Sequence, residues 1–221
     1  MIQFDHVTQR YPGGQEGLSQ VSFNLAKEEM VFLTGHSGSG KTTLLKLIAL
    51  LEKPSCGTII VDGRNLDRIS ERHIPDMRRQ IGLIFQTPQL LTDRSIFENV
   101  SLPLVIEGYR PSEMSRRVHA ALAKVGLENK GGLTPEMLSC GEQQRVGIAR
   151  AIVSKPPILL ADEPTGNLDP ELSAEIMRLF VQLNQVGITI LIATHDVNLI
   201  GTLPYRKLTL KEGCLINEKG E

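Results

Sequence analysis

Apolar and polar residues alternate over Ile2–Val7 and again over Val21–Leu25, with Pro12-Gly13-Gly14 between them. A period of two predicts half-buried strands, and the Pro-Gly-Gly cluster predicts the turn that joins them. Met30–Thr34 is a short apolar run that leads straight into a glycine-rich loop. A helix is expected from about Lys41 to Leu51, stopped by Pro54. Gly57–Val61 reads as a strand closed by Asp62-Gly63, and Ile81–Phe85 as a buried one. Residues 88–137 hold no strand-like run and follow helical spacing, which predicts a helical insertion. A helix over 141–154 follows. Two buried strands, Ile158–Ala161 and Ile188–Ala193, flank a helix over Glu171–Gln185. A short helix and strands at Arg206–Leu210 and Cys214–Asn217 complete the pattern. Apolar strands alternating with helices imply an α/β fold, a mainly parallel sheet with helices on both faces.

The length of 221 residues allows one sizeable domain with a real core and is too short for two independent ones. Charged residues make up 22 %, hydrophobic ones 41 %, and the formal net charge is -1. No block of Lys or Arg stands out, so no nucleic-acid partner is expected. The longest strongly apolar stretch, Leu44–Leu51, is broken by Lys46 and is far too short to span a bilayer. The N-terminal stretch holds Asp5 and lacks an apolar h-region, so it does not read as a signal peptide. Cys56, Cys140 and Cys214 are isolated and odd in number. That fits a reducing compartment, the cytoplasm, better than a disulfide framework or a metal cluster.

Three stretches carry chemistry. Gly35-His36-Ser37-Gly38-Ser39-Gly40-Lys41-Thr42 fits the spacing G-x-x-x-x-G-K-[ST], between a strand and a helix as that motif requires. Glycines let the backbone wrap closely, so its N–H groups face phosphate oxygens, and the helix start adds partial positive charge. Lys41 is expected at the β and γ phosphates and the Thr42 hydroxyl at Mg²⁺, with Thr43 completing the nucleotide contacts. The second stretch is Ile158–Glu163, an apolar strand ending in two carboxylates. Asp162 is expected to hold Mg²⁺ through water, and Glu163 to orient or deprotonate an attacking water. The third is Leu138-Ser139-Cys140-Gly141-Glu142-Gln143-Gln144-Arg145. Ser139 is a good N-cap, so a second helix start is offered to an anion. A second phosphate site within one fold is redundant unless it serves another subunit's nucleotide.

The order of the Lys41-bearing loop, Gln86, the Ser139 stretch, Ile158–Pro164, Asn167-Leu168-Asp169 and His195 resembles that of ABC ATPase subunits, over essentially the whole chain. Within that family, Phe32–Ile48, Arg78–Gln86, Leu90–Leu104 and Ala193–Ile200 are most similar to the bacterial cell-division group. Ala161–Asp169 is shared with lipoprotein-release and macrolide-export ATPases, the alternative biology. A soluble DNA-repair or translation ATPase is a remote one, since the chain has no coiled coil or second cassette.

The resemblance implies a P-loop NTPase fold. Residues 1–86 and 157–221 would form a RecA-like nucleotide-binding core with an antiparallel β part. Residues 87–156 would form a helical subdomain bearing the signature stretch. It also implies a head-to-tail homodimer with two ATP molecules sandwiched between the subunits. Ser139 and Gly141 would then meet the γ-phosphate held by the other copy's Lys41. Tyr11 would stack on adenine, Gln86 would touch Mg²⁺ and the attacking water, and Asp169 would meet its counterpart across the dimer. His195 would contact the γ-phosphate. The chain would be peripheral, on the cytoplasmic face of the membrane, and its partner an FtsX-like integral membrane protein. That partner is expected to dock near 86–105, with Leu90, Leu91, Ile96, Phe97 and Val100 forming either an apolar groove or the insertion's own core. The family usually has Ser-Gly-Gly where this chain has Ser139-Cys140-Gly141. Cys140 would be strained if that position needs a positive φ, and tolerated in a first helical turn. Glu142 stands where Gln is more frequent.

Overall fold

A computed structural model of the chain describes residues 1–201 and 203–219. Its strands are β1 (Ile2–Arg10), β2 (Glu16–Leu25), β3 (Met30–Thr34), β4 (Cys56–Val61), β5 (Arg64–Asn65), β6 (Ile81–Ile84), β7 (Ile158–Asp162), β8 (Thr189–Ala193), β9 (Arg206–Lys211) and β10 (Cys214–Lys219). Its helices are α1 (Lys41–Ile48), α2 (Ile74–Arg79), α3 (Ile96–Ile106), α4 (Pro111–Lys124), α5 (Cys140–Ile152), α6 (Pro170–Gln185) and α7 (Val197–Gly201). One sheet is antiparallel in the order β2-β1-β4-β5. The other runs β10-β9-β3-β8-β7-β6, parallel from β9 to β6, with β10 antiparallel at its edge.

The central strands read as unbroken apolar runs because both faces are covered. In β3, Val31 and Leu33 face the cluster formed with α1 and the antiparallel sheet, while Met30 and Phe32 face the cluster under α5 and α6. β7 and β8 divide in the same way, Leu160 and Leu191 to one side, Leu159 and Ile190 to the other. Each fully buried large apolar side chain contributes about 1.5–3 kcal/mol. A rigid sheet therefore carries the loops that leave its strand ends.

Three departures from the sequence pattern have local causes. β1 continues past Val7 because His6, at φ 48, makes a bulge that shifts the register and interrupts the alternation. α1 ends at Ile48: Leu50 takes a left-handed φ of 56, and the Leu51 N–H donates to the Lys46 carbonyl at 2.9 Å. α2 is a helix of six residues, too short for a visible period. The insertion begins with a capping box, in which Ser95 Oγ accepts from the Glu98 N–H and the Glu98 carboxylate accepts from the Ser95 N–H.

Candidate functional site

β3, β8, β7 and β6 are adjacent and parallel, so their carboxyl ends open on one edge of the sheet. That edge is where ligands bind in open α/β folds. The loop after β3 carries Lys41 and Thr42, that after β6 carries Gln86, β7 ends on Asp162 and Glu163, and β8 is followed by His195. A cleft of about 490 Å³ is lined there by Tyr11, His36, Ser37, Gly38, Gly40, Lys41, Thr42, Thr43, Gln86, Asp162, Glu163 and His195.

The loop is shaped by what it lacks. A Cβ on Gly40 (φ 106) would lie 2.4 Å from the Gly17 carbonyl oxygen, and one on Gly35 would lie 2.3 Å from that of Leu210. Only glycine fits at either place. Ser39 is buried behind the cleft, with its Oγ unpartnered. Lys41 is folded inward and donates to the carbonyls of Gly35 (2.7 Å) and His36 (3.1 Å). Its ammonium stands 4.0 Å from the Glu163 carboxylate. Thr42 Oγ1 donates to Asp162 Oδ2 at 2.7 Å. A hydroxyl beside a carboxylate is a hard-oxygen donor pair that suits Mg²⁺, which keeps its remaining positions for phosphate and water.

Glu163 is buried at φ 48, with its N–H bonded to the Ala193 carbonyl. Its Oε1 lies 2.8 Å from His195 Nδ1, and its Oε2 accepts from the His195 N–H at 3.3 Å. An ionised carboxylate only accepts, so this pairing puts the ring proton on Nδ1. Burial pushes the Asp162 carboxyl above its ordinary pKa and the Glu163 charge adds to this, while the Thr42 hydrogen bond and Lys41 oppose it. Tyr11 lies against Gly17, where a Cβ would be 2.7 Å from its ring. Its hydroxyl donates to Glu52 Oε2 (2.8 Å) and meets Thr43 Oγ1 (3.0 Å).

The family model for ABC transporters matches residues 18–166. The chain belongs to the ABC transporter family. It is an ATPase of that family, and its relatives are close. It is 55 % identical over 215 residues to the cell division ATP-binding protein FtsE of Escherichia coli K12, covering 97 % of each chain. It is 40 % identical over 219 residues to the FtsE of Bacillus subtilis, covering 99 % of this chain and 96 % of that one. Among solved structures, the dimeric bacterial ABC transporter cassette MJ0796 superposes with a TM-score of 0.94 at 36 % identity, covering 99 % of this chain and 98 % of that one. A post-hydrolysis dimer of the same cassette, bound to ADP and Pi, gives 0.93 at 35 %, with the same coverage.

Five of the residues expected at the nucleotide are not on the wall of this cleft: Gly35 and Ser39 lie within the loop behind it, and Ser139, Gly141 and Asp169 lie elsewhere. Ser139 caps α5, accepting from the Glu142 N–H at 3.3 Å. A Cβ on Gly141 would sit 3.1 Å from the Leu168 side chain, so the start of α5 rests on the loop that ends at Asp169. Asp169 caps α6 through the Leu172 N–H at 2.9 Å. Cys140 is the first residue of α5 and has no positive φ, so its side chain is tolerated there.

Of the two readings open for the Leu90–Val100 stretch, groove or core, the structure gives mostly core. Ile96 and Val100 are fully buried, and Leu90 and Phe97 pack on the same cluster; Leu91 is the exposed member. An apolar cleft of about 490 Å³ opens beside them, lined by Leu83, Phe85, Leu102, Pro103 and Ile106 with Arg78 and Arg79. Glu52 was not legible as a site residue. It holds the Tyr11 hydroxyl and, at 3.0 Å, Lys46, yet it sits in an irregular turn with no motif of its own.

Proposed function

We propose that the chain is the ATP-hydrolysing subunit of a bacterial cell-division complex. It works as a head-to-tail pair on the cytoplasmic face of the membrane, beneath an FtsX-like integral membrane protein whose output is septal cell-wall hydrolysis. The cell-division reading rests on the near full-length likeness to FtsE. The observation that carries the mechanism is the separation of the two helix starts. α1 opens into a cleft that holds Lys41, Thr42, Asp162, Glu163 and His195, whereas the Ser139 end of α5 lies outside it. A second copy placed head to tail would bring that end to the nucleotide, and the similar MJ0796 cassette is dimeric.

On binding ATP, Lys41 exchanges the Gly35 and His36 carbonyls for the β and γ phosphates, and Tyr11 stacks on the adenine. Thr42, Asp162 and Gln86 would hold Mg²⁺, which would supply charge neutralisation to the phosphates. Glu163, kept in place by His195, orients the water that attacks the γ-phosphorus. Lys41 and the partner's Ser139 stabilise the charge that develops on the phosphoryl oxygens. The products are ADP and phosphate. The cleft beside α3 accepts a cytoplasmic helix of the membrane protein, whose apolar side matches Phe85, Leu102 and Ile106.

The test is capture of the partner. Glu163→Gln holds ATP without hydrolysing it, so crosslinking this variant in its native membranes traps the closed complex. Co-purification of an FtsX-like protein with division components is the expected result. A lipoprotein-release or exporter permease would keep the residue roles and overturn the cell-division reading. Recovery of no membrane protein would overturn the complex itself.

A further inference from the structure

The signature helix carries an acid where the family more often has a neutral glutamine, and the structure supplies that acid with a partner. Glu142 uses one oxygen for the Ser139 N–H (2.9 Å) and the other for the ammonium of Lys130, in the loop between α4 and α5. The loop is itself fastened to the start of α3. The Ile96 N–H donates to the Leu133 carbonyl and the Phe97 N–H to that of Gly131, both at 2.8 Å. Lys130 and Ser139 first pull the Glu142 carboxyl below its ordinary range, so it is an anion at neutral pH. That anion sits one helical turn from the serine expected to meet a triphosphate.

We propose that Lys130 is a positioning residue for the trans-acting Ser139: it neutralises Glu142 and locks the capping box, so that the serine hydroxyl can approach another copy's γ-phosphate. This rests on the reading that Ser139 serves the nucleotide of a second copy. Two physical effects combine. An unpaired carboxylate at this end of α5 would repel the incoming phosphates, whereas the Lys130–Glu142 pair carries no net charge. The capping geometry ties the Ser139 Oγ to the Glu142 N–H at 3.3 Å, so holding Glu142 in place also holds the serine side chain in place. The pair is partly exposed, with side-chain accessibilities of 39 % for Lys130 and 18 % for Glu142, so its loss leaves the fold standing.

The experiment is a double-mutant cycle on the full chain. It reads ATPase turnover at saturating ATP, and ATP-driven dimerisation of the same variants carrying Glu163→Gln. Lys130→Ala is expected to lower turnover about tenfold, within the range for coupled neighbours, and to weaken the dimer, while binding of ATP to the monomer holds. Lys130→Arg restores both. In a Glu142→Gln background, Lys130→Ala has no further effect, because there is no anion left to neutralise. An equal loss from Lys130→Ala in both backgrounds overturns the proposal. So does full activity of Lys130→Ala while Ser139→Ala abolishes dimerisation. If Ser139→Ala itself leaves dimerisation and turnover intact, the two-copy reading fails and takes this inference with it.

Discussion

Replacing Ile106 by Ser tests where the membrane partner sits. Ile106 lies at the end of α3 on the rim of the cleft with Leu102, Pro103 and Phe85, and 63 % of its surface is exposed. Full burial of such a side chain contributes about 1.5–3 kcal/mol, so covering the exposed share contributes about 1–2 kcal/mol to docking. Ile106→Ser removes that gain, which predicts affinity for the membrane partner about 5- to 30-fold weaker. Because the residue contributes little to the chain's own core, the melting temperature should stay nearly where it is, a change within about 0.5 kcal/mol. The assay is titration of the purified chain against the partner reconstituted in nanodiscs, with thermal melting as the control. Undiminished affinity with an unchanged melt would show that the helix docks elsewhere. A collapsed melt would show that Ile106 belongs to the core, contrary to its exposure.

Two further predictions address the nucleotide side. Asp162 has a raised pKa in the fold, so the folded state holds its proton more tightly than the unfolded chain. Stability from this group is present below the ordinary aspartate range and is lost as pH rises through the raised value. Asp162→Asn should therefore melt higher than the parent at pH 7, converge with it near pH 4, and lose ATP hydrolysis and most of the stabilisation by Mg²⁺ and ATP. Parallel melting curves across that pH range would contradict it. Tyr11→Phe removes the hydroxyl from Glu52 and Thr43 but keeps the ring on Gly17. It should cost about 1–2 kcal/mol of stability and leave ATP affinity within about threefold, whereas Tyr11→Ala should weaken ATP binding by about 1–3 kcal/mol. Equal ATP affinities for the two variants would remove stacking from the account.

The parts of the molecule that were legible from sequence are those whose period or spacing is set by burial or by a phosphate. β3, β7 and β8 were readable because both faces are covered, so their residues are uniformly apolar. The Lys41 loop was readable because its glycines are forced, by the Gly17 carbonyl against Gly40 and the Leu210 carbonyl against Gly35. What was not legible depends on contacts between segments far apart in the chain. Glu52 reaches Tyr11 across 41 positions, and no local pattern reports that. The Leu90–Val100 stretch is apolar whether it lines a groove or fills a core. Only the packing of α3 on α4 and α5 decides, and it puts Ile96 and Val100 inside.

That packing also bears on how the proposed membrane helix would be tied to two separate nucleotide contacts. α5 is bound to the loop that follows β6. Gln144 Nε2 donates to the Phe85 carbonyl at 3.1 Å, and Arg150 donates to the carbonyls of Pro88 and Gln89. A Cβ on Gly147 would lie 2.9 Å from the Pro88 ring, so helix and loop touch with no slack. Gln86 is inside the segment held this way, and Ser139 is at the head of the helix that holds it. The cleft proposed for the membrane helix shares the same parts, because Phe85, Arg150 and Ala151 form its wall beside Leu102 and Ile106. These contacts join helix and loop, so a shift of one relative to the sheet that carries Lys41 and Glu163 is expected to carry the other. On the proposed docking and two-copy reading, a push on the cleft would displace Gln86 in this copy's site and Ser139 in the other's together, and closure of the two nucleotide sites would push back on the helix in the cleft. Such coupling would need no relay of flexible side chains, only the contacts that join α5 to the loop after β6.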